Sequence, residues 1–522
     1  MTNTELRIEP SQAWDSMQRK TFIVAAFAIV VGLFSFSTAP VILTAIGEEL
    51  NFSIEKANLL RIVPPAASLL TVFIAGALGD VFGGKKVLLG GGFLYCLGIV
   101  IVIAGHSFGA IVAGRALEGI GAMLLRVLSL ALVAAAFPLH AQRAIAFSGF
   151  AAVSPITQIV GPSLAAPLAG LAGWRMVVAM WLLLGVLFLL VSAKLLPHDE
   201  NKNKNMEFGT PILAGLVLVL ISSSISSFQG SSQAGIVILI AAAIAIGALA
   251  MMIRYLKSPS FDLTLPTQPG ALFVLIAIAS ANAADPIFFT GLFLSKKYDL
   301  MIAITSLALI PMNIGAAIGS AIGGPIMARI GPYKAIISGY LISAAIALTV
   351  IFIKPDTHIA VIISVMSSFM LFKMIGTPAL MTTVMGLVPA QFAGVASSWR
   401  NASQILGVAI GGVLVGSLVF NTFHESLATT LDQTALTSAK AKEIAGLIRQ
   451  GNREQITVDP RMIPQQELVT LIAPDGHVVE SAQVMAYRTL GPAMAAGNLI
   501  SCFALWMSKR TQAAAQRTKA NN

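Results

Sequence analysis

Charged residues and cysteines are scarce in this sequence. Only 11% of its 522 residues are Asp, Glu, Lys or Arg, whereas 56% are hydrophobic and the mean hydropathy is +0.84. A soluble domain is typically about 25% charged, so a water-soluble fold is excluded because it could not bury this much apolar surface. The two cysteines, Cys96 and Cys502, lie in apolar runs near opposite ends of the chain. They indicate neither a disulfide framework nor a cysteine-based metal site.

Sequence signals of enzymes and of ATP-driven pumps are also missing. No glycine-rich nucleotide-binding loop is present, and the few histidines are scattered in loops or at the ends of apolar runs. We therefore expect no enzymatic activity, no cofactor and no metal. The formal net charge of +10 does not indicate nucleic-acid binding, since most Lys and Arg residues lie in short loops beside apolar segments.

Apolar runs that could cross a membrane dominate the chain. A helix needs roughly 17 to 25 apolar residues to cross about 30 Å of hydrocarbon, and about 14 such runs occur. Six lie in residues 21–196, two in 210–256 and six in 270–508, with linkers at 197–209 and 257–269. We predict an all-α polytopic membrane protein in the bilayer, with two six-helix bundles and two extra central helices.

Basic residues predict the orientation of these spans. They recur in alternate loops, in the N-terminal segment 1–20 and in the tail 509–522. The positive-inside rule then places both termini in the cytoplasm. The first run has no convincing cleavage site and is expected to stay as a span. The long loop 424–482 falls outside, where we expect a solvated cap with an amphipathic helix around 438–449.

A repeated loop motif supports two homologous halves. Gly76-Ala-Leu-Gly-Asp80-Val-Phe-Gly83-Gly-Lys-Lys follows the second span, and Gly324-Pro-Ile-Met-Ala-Arg329-Ile-Gly follows the second span of the last group. Glycine permits close helix approach and a tight turn. The Asp80 carboxylate can pair with a cation or a helix N-terminus across the bundle interface. We predict a cytoplasmic gate formed by Gly76, Asp80, Gly83, Lys85, Lys86 and Arg329.

With this motif, the sequence resembles the major facilitator superfamily, in particular its fourteen-span branch of drug:proton antiporters. The stretch beginning Arg115-Ala-Leu-Glu118 resembles the family's R-x-x-Q-G-x-G-A run, with Glu in place of Gln. Gly161-Pro162 resembles the antiporter motif that bends the fifth helix, with Ala165 and its neighbour replacing two glycines. Residues 394–411 resemble the same branch, so the resemblance covers nearly the whole chain.

We predict that Arg115 lowers the proton affinity of a neighbouring carboxylate and so links protonation to the conformational cycle, with Glu118 and Asp285 as the proton-coupling carboxylates. The alternative is a self-satisfied Arg115–Glu118 pair that only packs the bundle. Asp285 is the leading proton carrier, because Pro286 loosens its helix and apolar surroundings raise the proton affinity of a carboxylate. Asp285 could instead be an ordinary solvated residue at the outer end of its helix.

The sequence departs from the drug-exporting branch in its intramembrane charge. The acidic residue that the branch carries in its first span is absent here, and three basic residues lie well inside spans against two obvious carboxylates, Glu118 and Asp285. We predict a net positive substrate cavity that takes an anionic or zwitterionic compound, lined by Arg61, Arg126, Lys373 and Asn282. Alternatively, Arg61 or Lys373 extends to the interface or pairs with a carboxylate.

These features predict a proton-coupled antiporter that exports small organic molecules by alternating access, as in multidrug efflux. The partners are a small-molecule substrate and protons, and the resemblance implies a monomer in a bacterial inner membrane. Two alternatives stay open. One is a proton-coupled carrier that imports or exports an organic anion or metabolite, and the other is a transport-inactive membrane sensor or scaffold.

Overall fold

Helices make up most of the computed structural model. It describes residues 14–50, 52, 54–138, 140–197, 206–227, 232–256, 260–283, 286–298, 300, 302–432, 438–450 and 476–521. The α-helices are α1 (Ser16–Glu49), α2 (Ile54–Phe82), α3 (Gly84–Ala104), α4 (Phe108–Ala136), α5 (His140–Ala172), α6 (Trp174–Leu195), α7 (Gly209–Ser227), α8 (Ser232–Tyr255), α9 (Ala271–Ala283), α10 (Pro286–Lys297), α11 (Ile302–Ala308), α12 (Ile310–Ile330), α13 (Pro332–Leu348), α14 (Ile359–Met385), α15 (Ala393–Asp432), α16 (Ser438–Gln450), α17 (His477–Arg488) and α18 (Leu490–Asn521).

The expected fold class, an all-α polytopic membrane protein, is confirmed. Within the described ranges, 13 helical segments are long and apolar enough to cross a membrane, and α7 adds a shorter apolar stretch, Gly209–Ile225. Three spans of the second half contain two helices each: Ala271–Lys297 holds α9 and α10, Ile304–Ile330 holds most of α11 and all of α12, and His477–Thr518 holds α17 and α18.

Two helical bundles account for most of the packing. In the first, α1 contacts α2, α4, α5 and α6, and α3 packs between α4 and α6. In the second, α14 packs on α12 and α13, while α18 packs on α9 and α13. The bundles meet where α5 lies along α12 and where α2 lies along α15, and α7 packs on both α2 and α15.

Small residues allow the helices to approach closely. A methyl group at Gly315 of α12 would lie 2.4 Å from the Ser367 carbonyl oxygen of α14, and one at Gly319 would lie 2.0 Å from the Leu371 carbonyl oxygen. Close main-chain contact between such residues stabilises helix pairs in lipid, where the hydrophobic effect does not drive helices together.

The loops gather on two faces of the molecule. On the side that we call the terminal face, the Trp14 ring lies 4.7 Å from the Phe137 ring, and the Tyr333 hydroxyl donates to Gln512 Oε1 at 3.2 Å. These contacts bring the first and last described segments beside the α4–α5 and α12–α13 loops. On the opposite side, which we call the cap face, the Phe52 ring lies 5.4 Å from the Phe108 ring.

The cap face carries a small helical subdomain. Helix α15 has 40 residues, so it is about 60 Å long, roughly twice the hydrocarbon thickness. It continues to Asp432, beyond the predicted start of the loop at residue 424, because Leu427 and Leu431 are buried against Ile444 of α16 and Val478 of α17. The amphipathic helix expected around 438–449 is present as α16.

The carboxylate of Glu49 joins α1 to α6 at the cap-face end of the first bundle. The Glu49 carboxylate accepts hydrogen bonds from Arg175 and, at 2.6 Å, from the Trp174 indole N–H. Both residues begin α6, and the Arg175 guanidinium also lies over the Trp174 ring. The bond from Arg175, followed by that from Trp174, holds the pKa of the Glu49 carboxyl below its usual value.

Because the pKa of Glu49 is lowered, the contribution of this contact to stability depends on pH. Because the folded-state pKa of Glu49 is depressed, its stabilisation is present above the unfolded pKa of about 4.3 and is lost as the pH falls through the folded value. We expect Glu49→Gln to lower the melting temperature of the purified protein near neutral pH, and we expect this difference to vanish in strong acid. Glu425→Gln, an exposed carboxylate of α15, is the control. A difference that does not change with pH would contradict the assignment.

Candidate functional site at the bundle interface

The Asp80 carboxylate joins the two bundles at the terminal face. Its Oδ1 accepts a hydrogen bond from the Gly394 N–H and its Oδ2 accepts one from the Val395 N–H, each at 3.1 Å. Gly394 and Val395 are in the first turn of α15, whose N–H groups have no partner within the helix and carry the positive end of its dipole. Of the two pairings that the sequence allowed, the helix N-terminus is the one observed.

Glycines let α2 and α15 approach closely enough for these bonds. A methyl group at Gly76 would lie 2.3 Å from Ser398 Oγ and 2.5 Å from the Gly394 carbonyl oxygen. The Ser398 hydroxyl donates to the Val72 carbonyl oxygen of α2 at 2.6 Å. The contact is therefore a main-chain contact, and any side chain at Gly76 would separate the helices.

A second seam closes the terminal face between α5 and α12. A methyl group at Gly324 would lie 2.3 Å from Ser148 Oγ and 2.6 Å from the Ala144 carbonyl oxygen. Beside it, Phe147 of the first bundle and Met327 of the second are buried in one apolar core. The repeated loop motif thus supplies one close glycine contact to each seam, with Gly76 in the first half and Gly324 in the second.

The remaining predicted gate residues have other positions. Gly83 has φ 96° in the turn between α2 and α3, and Gly331 has φ 84° at the equivalent turn of the second half. Lys85 Nζ donates to the Ala193 and Leu196 carbonyl oxygens at 3.0 and 2.6 Å, where it caps the end of α6. Lys86 and Arg329 have exposed side chains.

Arg115 and Glu118 form a buried ion pair inside the first bundle. The Arg115 guanidinium donates to Glu118 Oε2, and the two residues are 4% and 2% exposed. The guanidinium lies 5.5 Å from the centre of the Trp181 ring of α6. A methyl group at Gly98 of α3 would lie 2.6 Å from the Glu118 main-chain N. The pair is therefore enclosed by α3, α4 and α6.

Arg126 of α4 and Arg400 of α15 lie beside one contact between the bundles, where the Ser397 hydroxyl donates to the Val127 carbonyl oxygen at 2.6 Å. The Arg126 stem packs against α1, since a methyl group at Gly32 would lie 3.2 Å from Arg126 Cγ. Both arginine side chains are half-buried. Arg400 had not been identified from the sequence, although it belongs to the stretch 394–411 that resembles the family.

The other predicted cavity residues are dispersed. Lys373 is buried in α14, with its ammonium group 5.6 Å from the centre of the Phe369 ring. Arg61 is exposed near the cap-face end of α2. The Asn282 amide donates to the Ile278 carbonyl oxygen of its own helix at 2.7 Å. Asp285, the leading proton carrier, lies outside the described residues.

The fifth-helix motif contributes a close contact between α1 and α5. Helix α5 continues through Pro155, Pro162 and Pro167. A methyl group at Gly161 would lie 2.7 Å from Ser37 Oγ of α1. Gly161 therefore allows α5 to approach α1 at the point where Pro162 removes a main-chain donor.

Comparison with known proteins agrees with this architecture. Residues 24–412 match the sequence profile of the Major Facilitator Superfamily. The chain belongs to the major facilitator superfamily. It is 25% identical over 442 residues to the multidrug resistance protein Stp of Mycobacterium tuberculosis, with 82% of each chain covered. It is also 25% identical to the methylenomycin A resistance protein of Bacillus subtilis, with 68% of this chain and 77% of that protein covered.

Solved structures of major facilitator proteins share the fold. The proton:xylose symporter XylE matches with a TM-score of 0.53 and 16% identity over 92% of this chain and 94% of that one. A bacterial homologue of the iron transporter ferroportin, in an outward-facing state, matches with a TM-score of 0.56 and 11% identity over 95% and 99%. At these sequence identities, both similarities show only that the fold is shared.

In this major facilitator protein, Asp80 is expected to control closure of the terminal face. Asp80→Asn removes the charge from two charge-assisted hydrogen bonds, worth about 1.5–3 kcal/mol, which corresponds to a shift of roughly 10- to 100-fold toward the open face. A cysteine at Ala396, which is fully buried beside the gate, should then react faster with maleimide in a background without Cys96 and Cys502.

The matched control for this experiment is Asp262→Asn. The Asp262 carboxylate accepts a hydrogen bond from the Thr264 N–H within its own linker at 2.6 Å, so it does not join the bundles. Equal maleimide reactivity in Asp80→Asn and in the parent protein would refute a gating role for Asp80.

Proposed function

We propose that this chain is a proton-coupled antiporter that exports small organic molecules by alternating access. The observation that carries the proposal is the bond between the Asp80 carboxylate and the N-terminus of α15. It joins one bundle to the other at a single face, and its bonds to main-chain N–H groups can break and re-form as the bundles rock.

The names of the relatives support export of small molecules. Besides Stp and the methylenomycin A resistance protein, the tetracenomycin C resistance and export protein of Streptomyces glaucescens is 22% identical over 430 residues. Resistance of this kind is consistent with removal of a toxic compound from the cell. The bundle interface, rather than the lipid-facing helices, is the region whose access changes when the gate opens.

We propose that the terminal face is cytoplasmic and that the membrane is a bacterial inner membrane. Lys85, Lys86, Arg143 and Arg329 lie at helix ends on the terminal face, as the positive-inside rule requires of cytoplasmic loops. Both termini are then cytoplasmic and the helical cap is external. We further propose that one chain is the working unit.

We propose that Asp285 carries the coupled proton and that the Arg115–Glu118 pair links its movement to the first bundle. A carboxylate inside a span is costly unless it is paired or protonated, which makes it suited to proton exchange. Glu118 already has its partner in Arg115, so Asp285 is the carboxylate that we assign to the proton.

Proton flux in proteoliposomes tests this proposal. A transported organic compound, found by screening cationic, neutral and anionic candidates, should raise the lumenal pH when added outside vesicles with an acidic lumen, because substrate enters as protons leave. Asp285→Asn should abolish the response, whereas Asp262→Asn should not. Substrate uptake that persists unchanged without any proton movement would refute proton antiport.

The alternative proton-coupled anion carrier has its own supporting observation, the position of Arg126 and Arg400 beside one contact between the bundles. In the same vesicle experiment, a response to organic anions alone would favour that carrier. A sensor or scaffold would move neither kind of compound.

A further inference from the structure

Two arginines from different bundles lie beside the same contact between α4 and α15. Arg126 lies about 15 Å along α4 from its terminal-face end, and Arg400 lies about 10 Å along α15 from its start, at 1.5 Å per residue. The Ser397 hydroxyl, one turn before Arg400, donates to the carbonyl oxygen of Val127, the residue after Arg126, at 2.6 Å. This bond holds the α4 segment that carries Arg126 against the α15 segment that carries Arg400.

Like charges at this depth need a counter-charge. A guanidinium group inside the membrane is costly unless a partner neutralises it, and a second one beside it adds repulsion. Among the residues that the structure describes, neither Arg126 nor Arg400 forms an ion pair with a carboxylate. Of the described carboxylates, Glu118 binds Arg115 and Asp80 caps α15, so both have other partners.

We propose that Arg126 and Arg400 together bind the anionic group of the transported substrate, a carboxylate, phosphate or sulfonate held between the bundles. This inference rests on the proposed transport function and names its substrate class. Each planar guanidinium presents paired N–H donors that match the oxygens of such a group. Both side chains are half-buried, so they are enclosed by helices and still accessible to a ligand.

A neighbouring amide supports a ligand at this position. Gln404 lies one turn beyond Arg400 on the same side of α15. Its buried Oε1 has no hydrogen-bond partner among the described residues, and such an unpaired buried acceptor is costly. A substrate that carries an O–H or N–H donor next to its anionic group would satisfy this acceptor while both arginines hold the charge.

The site also explains how a substrate would favour closure. Arg126 belongs to the first bundle and Arg400 to the second, so without an anion their repulsion opposes the approach of α4 to α15. A bound anion converts that repulsion into two attractions. Its affinity is then higher in the state in which the bundles meet, and that difference in affinity is what shifts a two-state equilibrium.

Binding of a matched pair of probes tests the proposal. We would measure the affinity of the purified full-length protein for naphthalene-1-acetate and for its neutral amide. We expect the carboxylate to bind more tightly, and Arg126→Gln and Arg400→Gln each to weaken its binding tenfold or more, by about 1.4 kcal/mol, without weakening binding of the amide. Arg254→Gln, an exposed arginine at the end of α8, is the control.

A stability measurement separates binding from a structural role. Removal of either charge relieves repulsion, so both variants should melt at or above the temperature of the unliganded parent. Arg126→Lys and Arg400→Lys should keep part of the carboxylate affinity. Unchanged carboxylate affinity in both Gln variants would overturn the proposal, as would unliganded Gln variants that melt well below the parent.

The outcomes of the two proposals can be distinguished. The protein could bind carboxylates selectively through both arginines and yet show no proton-coupled flux with any compound. That result would refute proton antiport and support the anion site. Proton-coupled flux of cationic drugs, with carboxylate affinity equal in the parent and both Gln variants, would keep antiport and overturn the anion site.

Discussion

Gly76→Ala should reduce transport by about tenfold or more while leaving the folded bundles intact. The new methyl group would meet Ser398 Oγ at 2.3 Å and the Gly394 carbonyl oxygen at 2.5 Å. The second contact is with main chain, so relief requires α2 and α15 to separate. Overpacking of this kind costs about 1–3 kcal/mol, and the cost falls only on the state in which the terminal face is closed.

Initial rates of substrate uptake into proteoliposomes measure the effect, with thermal unfolding as the check on folding. Gly90→Ala is the matched control, because a methyl group at Gly90 of α3 would have no atom of the described residues within 4 Å. The separation of α2 from α15 should also break the Asp80 bonds, so Gly76→Ala and Asp80→Asn combined should be little worse than either alone. Normal transport by Gly76→Ala would show that this contact is not needed.

Glu118→Gln should destabilise the first bundle by about 3–5 kcal/mol, because it leaves the Arg115 guanidinium buried without a counter-charge. Both residues are almost fully enclosed, so water cannot replace the lost carboxylate. The expected result is a large drop in the yield and in the melting temperature of the purified protein. Arg115→Gln together with Glu118→Gln should recover much of that loss, since no charge remains buried.

The control is an ion pair on the protein surface whose two residues, like Arg115 and Glu118, are three positions apart. Lys440 Nζ lies 2.8 Å from Glu443 Oε1 on α16, and both side chains are accessible to solvent. Exposed pairs of this kind contribute roughly 0.2–1 kcal/mol, so Glu443→Gln should change the melting temperature only slightly. Similar losses from Glu118→Gln and Glu443→Gln would contradict the burial argument. If the double variant folds but loses proton coupling, the pair has a role in transport besides packing.

Sequence patterns were sufficient for the fold class. The lengths of the apolar runs predicted an all-α protein that crosses the membrane many times, because hydrocarbon thickness fixes how many residues a spanning helix needs, and the described residues contain 13 such helical segments. The sequence placed Asp80 at the bundle interface and left two partners open, a cation or a helix N-terminus, of which the structure shows the second. The glycine repeat made Gly324 equivalent to Gly76, but the sequence did not show that Gly324 meets α5.

The central site could not be found in this way, because it depends on how the helices are rotated about their axes. Arg400 was part of a recognised stretch, yet nothing in the sequence shows that its segment of α15 contacts the α4 segment that carries Arg126. Lys373 appeared equivalent to Arg126, and the packing of α14 instead places it beside Phe369. Hydrophobic periodicity gives little help when every face of a helix is apolar.

The end of α15 exceeded its predicted limit for a related reason. A length criterion stops a span once the hydrocarbon is crossed, whereas Leu427 and Leu431 extend the helix by burying themselves against α16 and α17. That stabilisation comes from residues distant in the sequence, so a local reading of the 424–482 loop could not include it.

The distance between the bundles at the terminal face is the most direct test of the account. Spin labels at Lys86 and Arg329, two exposed positions on opposite bundles, would report it by pulsed electron resonance in lipid nanodiscs. We predict a short distance in the resting protein and a second, longer distance whose share rises in Asp80→Asn and changes with pH and substrate. A single distance that none of these conditions alters would contradict an alternating gate closed by Asp80.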